Sequence, residues 1–439
     1  MLSLTSPLIS IKAFDQPVFS GPMQTYRDEI HESKNFLFVP ETPTTYTFEL
    51  TSHCNERCSG CGNNELFTRH DPYLSGPQWI DLLNKVKPYA HYVRLTGGEC
   101  TLHPDFKDIV SHLDTFGIPF AIFTNGVWRD SDGMIKFLSR IHNLSAILIS
   151  LHGPDAETHN KFTGTNYFER IITNIHLATV AGLAIDTNTV LMRCNWKKLE
   201  SIASLSRNLG ARCAVFSRYY GAALPIVDLT DNELAEAIQS ADRLRELGYA
   251  TKINPCIPEC FIASSSGGCG AGVTLCTVDP IGNVRPCNHA PIFMGNLTRM
   301  EIPDIWMSSG ALRWRSLVPD SCKSCSALSR CRGGCRATAL HRKVDSDPLM
   351  RIPLSESSAP SHRVFAGYKP VKKFDVRHER EGALLIRMNR VAPVTSQALA
   401  VAEAMDGKAT LADFNRQYGQ EALQLAFELY KQGLVEFVE

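Results

Sequence analysis

Cys54-Asn55-Glu56-Arg57-Cys58-Ser59-Gly60-Cys61 is the stretch from which the rest of the chain can be read. Its three cysteines, with three and then two residues between them, follow a strand-like run, Tyr46 to Thr51. The thiols therefore sit on a loop at a strand's end. Three thiolates on one tight loop suit three corners of a cubane [4Fe–4S] cluster, whereas a structural cluster or a structural zinc asks for four ligands. The fourth iron would be left open. A zinc loop that borrows one distant ligand is the competing reading.

Composition narrows the setting. A chain of 439 residues has room for two or three domains and a sizeable core. Its 45 lysines and arginines balance 45 acids, so no global field favours nucleic acid or an anionic membrane as partner. The 15 cysteines are absent from the first fifty residues and cluster in metal-type runs, which opposes a secreted disulfide scaffold. The start, Met1 to Pro7, has no basic region followed by an apolar core, and no apolar run reaches about 18 residues. Neither a signal peptide nor a membrane span is expected, and the reducing cytoplasm is the expected compartment.

From residue 46 the pattern is regular. Short β-branched or apolar runs at 46–51, 91–96, 118–124, 145–151, 184–191 and 211–217 alternate with amphipathic stretches near 76–87, 104–115, 131–140, 166–181, 197–209 and 231–247. Six strand–helix units in series predict a parallel sheet. A doubly wound sheet would satisfy that pattern too. The cysteine loop follows the first strand, and α/β barrels gather their chemistry at the C-terminal ends of strands, so a partial (β/α)6 TIM-type barrel is the expected architecture.

Thr96-Gly97-Gly98-Glu99 follows the second strand, with two glycines that let backbone approach a ligand and a carboxylate able to accept from an ammonium. One strand after a three-cysteine loop, this tripeptide resembles the GGE motif of the radical SAM superfamily, which binds the methionyl amino group of S-adenosyl-L-methionine. The resemblance implies that Cys54, Cys58 and Cys61 hold the [4Fe–4S] cluster of SAM cleavage and that Gly97, Gly98 and Glu99 contact SAM. By motif position it carries over Asn125, in Phe123-Thr124-Asn125-Gly126, and Ser150, at the end of the fourth strand. A flavodoxin or ferredoxin is the implied reductant.

A second cysteine system lies beyond the barrel. Cys269, Cys276 and Cys287 surround the turn Asp279-Pro280-Ile281-Gly282-Asn283, and Cys322, Cys325, Cys331 and Cys335 follow at intervals of two, five and three. The order is similar to the SPASM extension of radical SAM peptide and protein maturases, which carries auxiliary Fe–S clusters. The resemblance assigns Cys269, Cys276, Cys287 and Cys335 to auxiliary cluster I, and Cys322, Cys325 and Cys331 to an incomplete auxiliary cluster II. Relatives usually supply a last cysteine shortly after the run, often behind Asp-Pro. This chain reads Asp347-Pro348-Leu349-Met350, with no cysteine after Cys335. Asp345, Asp347, His341 or a borrowed thiol could complete the second site, and one or two auxiliary clusters are expected. Cys256 and Cys260, just upstream, are candidate donors that read more readily as core or loop cysteines.

The expected organisation is an N-terminal arm over 1–44, the barrel over 45–250, the auxiliary domain over 251–350, a Pro- and Ser-rich linker over 351–370, and a compact tail over 371–439. Within the tail, strands between Val371 and Ile386 precede helical stretches near 394–405, 410–417 and 420–432, and Gly433 marks a helix end before a last strand. That order resembles the winged-helix PqqD-like domain, the RiPP recognition element, which binds a leader peptide as an added strand. The interspersed acids disfavour a DNA-binding winged helix.

Together these resemblances imply a radical SAM maturase of a ribosomally made precursor peptide, yielding a crosslink, an epimer or a backbone excision. Phe48 to Thr51 and Cys58 to Asn63 are also similar to maturases of Nif11-type peptides, including spliceases. A maturase of a folded enzyme, of sulfatase or quinone-cofactor type, and a non-catalytic Fe–S scaffold or electron carrier are the alternatives.

Overall fold

The computed structural model describes residues 39–66, 68, 70–254, 256–262, 268–351, 367–380 and 382–438. The expected N-terminal arm up to residue 38 and the linker from 352 to 366 lie outside the described residues.

Six strands, β1 (Thr45–Glu49), β2 (Tyr92–Thr96), β3 (Phe120–Thr124), β4 (Leu144–Ser150), β5 (Ile185–Val190) and β6 (Cys213–Ser217), lie side by side in chain order and parallel. The expected partial barrel is present, and two further parallel strands extend it. At one edge β7 (Thr251–Ile253) pairs with β6, and at the other β8 (Leu275–Val278) pairs with β1. The short antiparallel strands β9 (Asn283–Arg285) and β10 (Gly295–Asn296) continue beyond β8. The auxiliary hairpin is thus the outer part of the barrel's own sheet.

Strand alternation sets two faces. Tyr46 and Phe48, Val93 and Leu95, Phe120 and Ile122, and Ile147 and Ile149 join one core under the helices. The helix Gly76–Val86 shows how that layer forms. Ser75 and Gln78 make a reciprocal capping box, and Trp79, Leu82, Leu83 and Val86 recur on one face. Trp79 meets Phe48 edge to face at 5.8 Å and donates from Nε1 to the Leu50 carbonyl. It thereby pins the chain where the cysteine loop begins. Each fully buried apolar side chain of this kind contributes about 1.5–3 kcal/mol.

The opposite, inner face carries polar groups. Glu49 is buried against Arg285 of β9 and accepts from Asn288 Nδ2 at 2.8 Å. Farther round, Asn188 Oδ1 accepts from Ser217 Oγ at 2.7 Å, and Asn254 Nδ2 donates to the same hydroxyl at 3.1 Å. A helix not expected from the sequence, Ala156–Thr163, follows β4 and packs against the cysteine loop, with Arg57 N and Ser59 N donating to the carbonyls of Thr163 and Phe162.

After residue 367 the chain forms a separate core. Strand β11 (Lys369–Lys372) pairs antiparallel with β15 (Val435–Val438), while β12 (Asp375–His378), β13 (Ala383–Arg387) and β14 (Arg390–Val394) make a meander. Helices Ser396–Glu403, Leu411–Tyr418 and Gln420–Lys431 cover it, burying Leu399, Phe414, Ala426 and Leu429 against Leu385. Gly433, at φ +67°, ends the last helix, with its N–H on the Tyr430 carbonyl. This unit touches the barrel beside β1, where Arg377 donates to the Thr42 carbonyl at 3.0 Å and Arg380 pairs with Glu41.

Candidate active site

The loops after β1 and β2 are one structure. Gly98 N donates to the Thr51 carbonyl and Glu99 N to the His53 carbonyl, each at 2.7 Å, and Asn63 Nδ2 donates to the Gly97 carbonyl at 2.6 Å. A side chain would break this seam. A Cβ at Gly97, whose φ is +151°, would lie 2.5 Å from the Thr51 oxygen, and one at Gly98 would lie 2.4 Å from the His53 oxygen.

Glu99 is buried beneath that seam. Its Oε1 accepts from Thr101 N at 3.1 Å, Thr101 Oγ1 at 2.6 Å and Thr124 Oγ1 at 2.8 Å, while Oε2 accepts from Asn125 N at 2.7 Å. Burial raises its pKa and these donors oppose the rise. The carboxylate that the sequence offers to an ammonium is therefore engaged mainly by the protein, tying the end of β2 to that of β3. Asn125 is engaged likewise. Its Nδ2 donates to Asn55 Oδ1 at 2.6 Å and its Oδ1 accepts from Val127 N at 2.9 Å, so the carboxamide braces the cysteine loop. Ser150 ends β4 on the inner face, in register with Asn188.

Cys54, Cys58 and Cys61 face one another closely enough for each charge to bear on the next. Burial pushes Cys54 up to about 12, and burial followed by the neighbouring Glu56 carboxylate pushes Cys58 up as well. Thiols in this state keep their protons until a metal displaces them. Glu56 N donates to Cys54 Sγ at 3.4 Å, the kind of backbone contact a thiolate uses. Gly60, at φ +78°, leaves a gap that Tyr219 closes, since a Cβ there would come within 2.9 Å of the ring.

In the auxiliary region the expected grouping is corrected. Cys269, Cys287 and Cys335 come together, but Cys276 does not. Cys276 stands opposite Tyr46 in the parallel pairing of β8 with β1, so its side chain enters the core under the helices, where only burial raises its pKa. The fourth thiol in the group is Cys256. It donates to Cys269, a hydrogen bond that holds the Cys269 thiol below its ordinary range, and it lies within electrostatic reach of Cys335 and Cys287. Arg336 is buried beside Cys269 and Cys335, and its Nε and Nη1 have no hydrogen-bond partner among the described residues. An uncompensated cation among thiols fits a group that brings negative charge. The cysteine loop with its glycine cradle and this set of four thiols with its arginine both fit iron–sulfur clusters. None of the 15 cysteines is in a disulfide.

The expected stand-ins for a last cysteine are also corrected. Asp347 is buried in a two-pronged pair with Arg218, at 2.8 and 3.1 Å, and accepts from Cys335 N at 2.8 Å. His341 Nε2 is hydrogen-bonded to the His289 carbonyl oxygen, and Asp345 is exposed. Cys322, Cys325 and Cys331 line one cleft.

A parallel sheet with three thiols after its first strand and a glycine seam after its second defines a class. Residues 48–205 match the model of the radical SAM superfamily and residues 269–332 that of an iron-sulfur cluster-binding domain, SPASM. The chain is a radical SAM enzyme with a SPASM domain. The first domain carries S-adenosyl-L-methionine and a [4Fe–4S] cluster with it, and the second carries auxiliary Fe–S clusters. Among curated relatives, the chain is 28% identical over 314 residues to the mycofactocin maturase MftC of Mycobacterium tuberculosis, covering 68% of this chain and 79% of that one. It is 27% identical over 325 residues to the PqqA peptide cyclase of Methylorubrum extorquens, covering 69% and 82%. Among solved structures, Streptococcus suis SuiB bound to precursor peptide SuiA has the same fold, with a TM-score of 0.61 at 16% identity over 78% of this chain and 84% of that one. Among the described residues no helix is long and apolar enough to cross a membrane.

Proposed function

We propose that the enzyme is a maturase of a ribosomally synthesised precursor peptide. The observation that carries this reading is the seam between the cysteine loop and Gly97–Glu99, in a chain whose curated relatives include a maturase and a peptide cyclase. Cys54, Cys58 and Cys61 would hold the cluster, which with S-adenosyl-L-methionine would supply one-electron reductive chemistry and the abstraction of a hydrogen atom from the peptide.

The protein's part is placement. Glu99 acts through the loops it ties together, Gly97 and Gly98 bring backbone against the ligand, Asn125 holds the Cys54 loop, and Ser150 faces the cofactor from β4. Cys256, Cys269, Cys287 and Cys335 would hold auxiliary cluster I. Arg94, on the inner face of β2 and 5.8 Å from the Phe123 ring, and the hydrogen-bonded Asn188 and Ser217, on β5 and β6, would line the space a core peptide enters. We read the unit from residue 367 onward as a PqqD-like recognition element, whose outer strands β12 and β14 offer edges to a leader. A flavodoxin or ferredoxin would supply electrons in the cytoplasm.

The test is anaerobic co-expression with the small peptide encoded nearest this reading frame, followed by tandem mass spectrometry. Loss of two hydrogens indicates a crosslink, a residue-sized loss indicates excision, and deuterium uptake from solvent indicates epimerisation. An unmodified peptide from enzyme that still makes 5′-deoxyadenosine would overturn the substrate class.

A further inference from the structure

The cleft lined by Cys322, Cys325 and Cys331 opens to solvent, with about 360 Å³ of atom-free space counted together with its mouth, and a fourth thiol lines it. That thiol is Cys260, on the segment after β7. Met350 lines the cleft as well, from the segment where relatives usually carry their last cysteine. We propose that auxiliary cluster II is a complete four-thiolate [4Fe–4S] site closed by Cys260 from upstream, with Met350 serving as an apolar wall. This rests on the reading of the chain as a SPASM enzyme and adds the ligand that its sequence lacks downstream.

The cleft is prepared for thiolates. Arg351 N donates to Cys260 Sγ at 3.2 Å, and the backbone N–H groups of Glu259, Gly333 and Gly334 all turn toward the Cys331 sulfur. Such donors stabilise cluster sulfurs and are wasted on a neutral thioether or a spare core thiol. Gly333 and Gly334 adopt φ of +81° and +71°, following Arg332 at +63°, and this left-handed run is what aims successive amides at one sulfur. Cys331, Cys325 and Cys260 all lie within electrostatic reach of Cys322.

Chemistry selects Cys260 over Met350. Thiolate is the usual protein ligand of such clusters, and a thioether is a poor substitute for it. Among the described residues no three His, Cys, Asp or Glu side chains converge tightly enough to share a single ion. A cluster does not require that, because its corners hold the thiolates apart.

The full chain, reconstituted anaerobically with iron and sulfide, should bind about 12 irons, four for each of three clusters. Cys260→Ala should lose up to about four irons and the matching sulfide, or show the EPR signal of a three-iron cluster, while Met350→Ala keeps the full complement. Cys260→Ala/Met350→Cys should recover the lost iron by returning the fourth thiolate from the downstream side. That recovery separates a missing ligand from a misfolded chain. Full iron with an unchanged Mössbauer spectrum in Cys260→Ala would overturn the proposal, as would iron loss in Met350→Ala or a wild-type chain that saturates at about eight irons. If iron follows Cys260 while the loaded enzyme modifies no peptide, the ligand assignment stands and the proposed function fails.

Discussion

His152 and His159 stack 5.8 Å apart just beyond β4, and neither ring can easily take a second proton. His152 N donates to Nδ1 of His159, and Val190 N donates to Nδ1 of His152, so both Nδ1 atoms are acceptors and both rings are neutral. Burial lowers His152 to about 3 and His159 to about 4. Because the unfolded chain binds these protons at about pH 6.5, the stability the pair contributes is complete above that value. It declines on acidification by about 1.4 kcal/mol per pH unit for each ring. Melting of the iron-loaded enzyme should fall steadily from pH 6.5 toward 4, and His159→Phe should shallow that slope. A flat profile over the same window would show that the rings do not couple to folding. The cysteines teach a related lesson. Cys54, Cys58 and Cys61 were legible because eight consecutive residues carry the whole arrangement. Cys256 and Cys260 were legible only as candidate donors that read more readily as core or loop cysteines, because each joins partners that lie far along the chain, and no local spacing advertises such a meeting. Cys276 misled because it stands in order among ligating cysteines, while strand alternation turns it away from them.

At the scale of elements, β8 explains that misreading. The six strand–helix units were readable from alternating periodicity, and the capped helices fell within a few residues of their expected bounds. The four residues of β8 offered no comparable signal, since a short strand whose partner β1 lies far back along the chain is fixed by tertiary contact. Its neighbour β9 carries Arg285, whose buried pair with Glu49 joins the hairpin to β1. Glu49→Ala should destabilise the enzyme by about 3–5 kcal/mol, because an uncompensated guanidinium remains buried. Replacing both partners with methionine should restore most of that loss. Urea denaturation of the wild type and these two variants checks the pair, and equal losses in the single and double variants would show that packing, not charge, sets the cost.

For the whole molecule, the polar seam between Arg377 and Arg380 on one side and Thr42 and Glu41 on the other makes the C-terminal unit a lodger on the barrel. Its own core, built on Leu385, Leu399 and Phe414, closes without the barrel's help. A chain ending at Arg351 should therefore keep reductive SAM cleavage within about twofold and lose at least about tenfold in peptide modification, which the recognition role requires. Parallel loss of both activities, measured as 5′-deoxyadenosine and modified peptide in the same reaction, would instead make the tail a structural prop.

The barrel and the hairpin stand in a different relation. β1 is flanked by β2 on one side and by β8 on the other, and the Thr44 hydroxyl donates to a carbonyl 230 residues away. On a ribosome, the strand that leads into the cysteine loop is synthesised long before its second neighbour exists. Until translation passes Val278, β1 presents an open edge that can pair with another chain. Premature arrest, or slow emergence of residues 251–278, thus exposes an aggregation-prone intermediate, and the iron-binding loop acquires its final support only when most of the chain has been made.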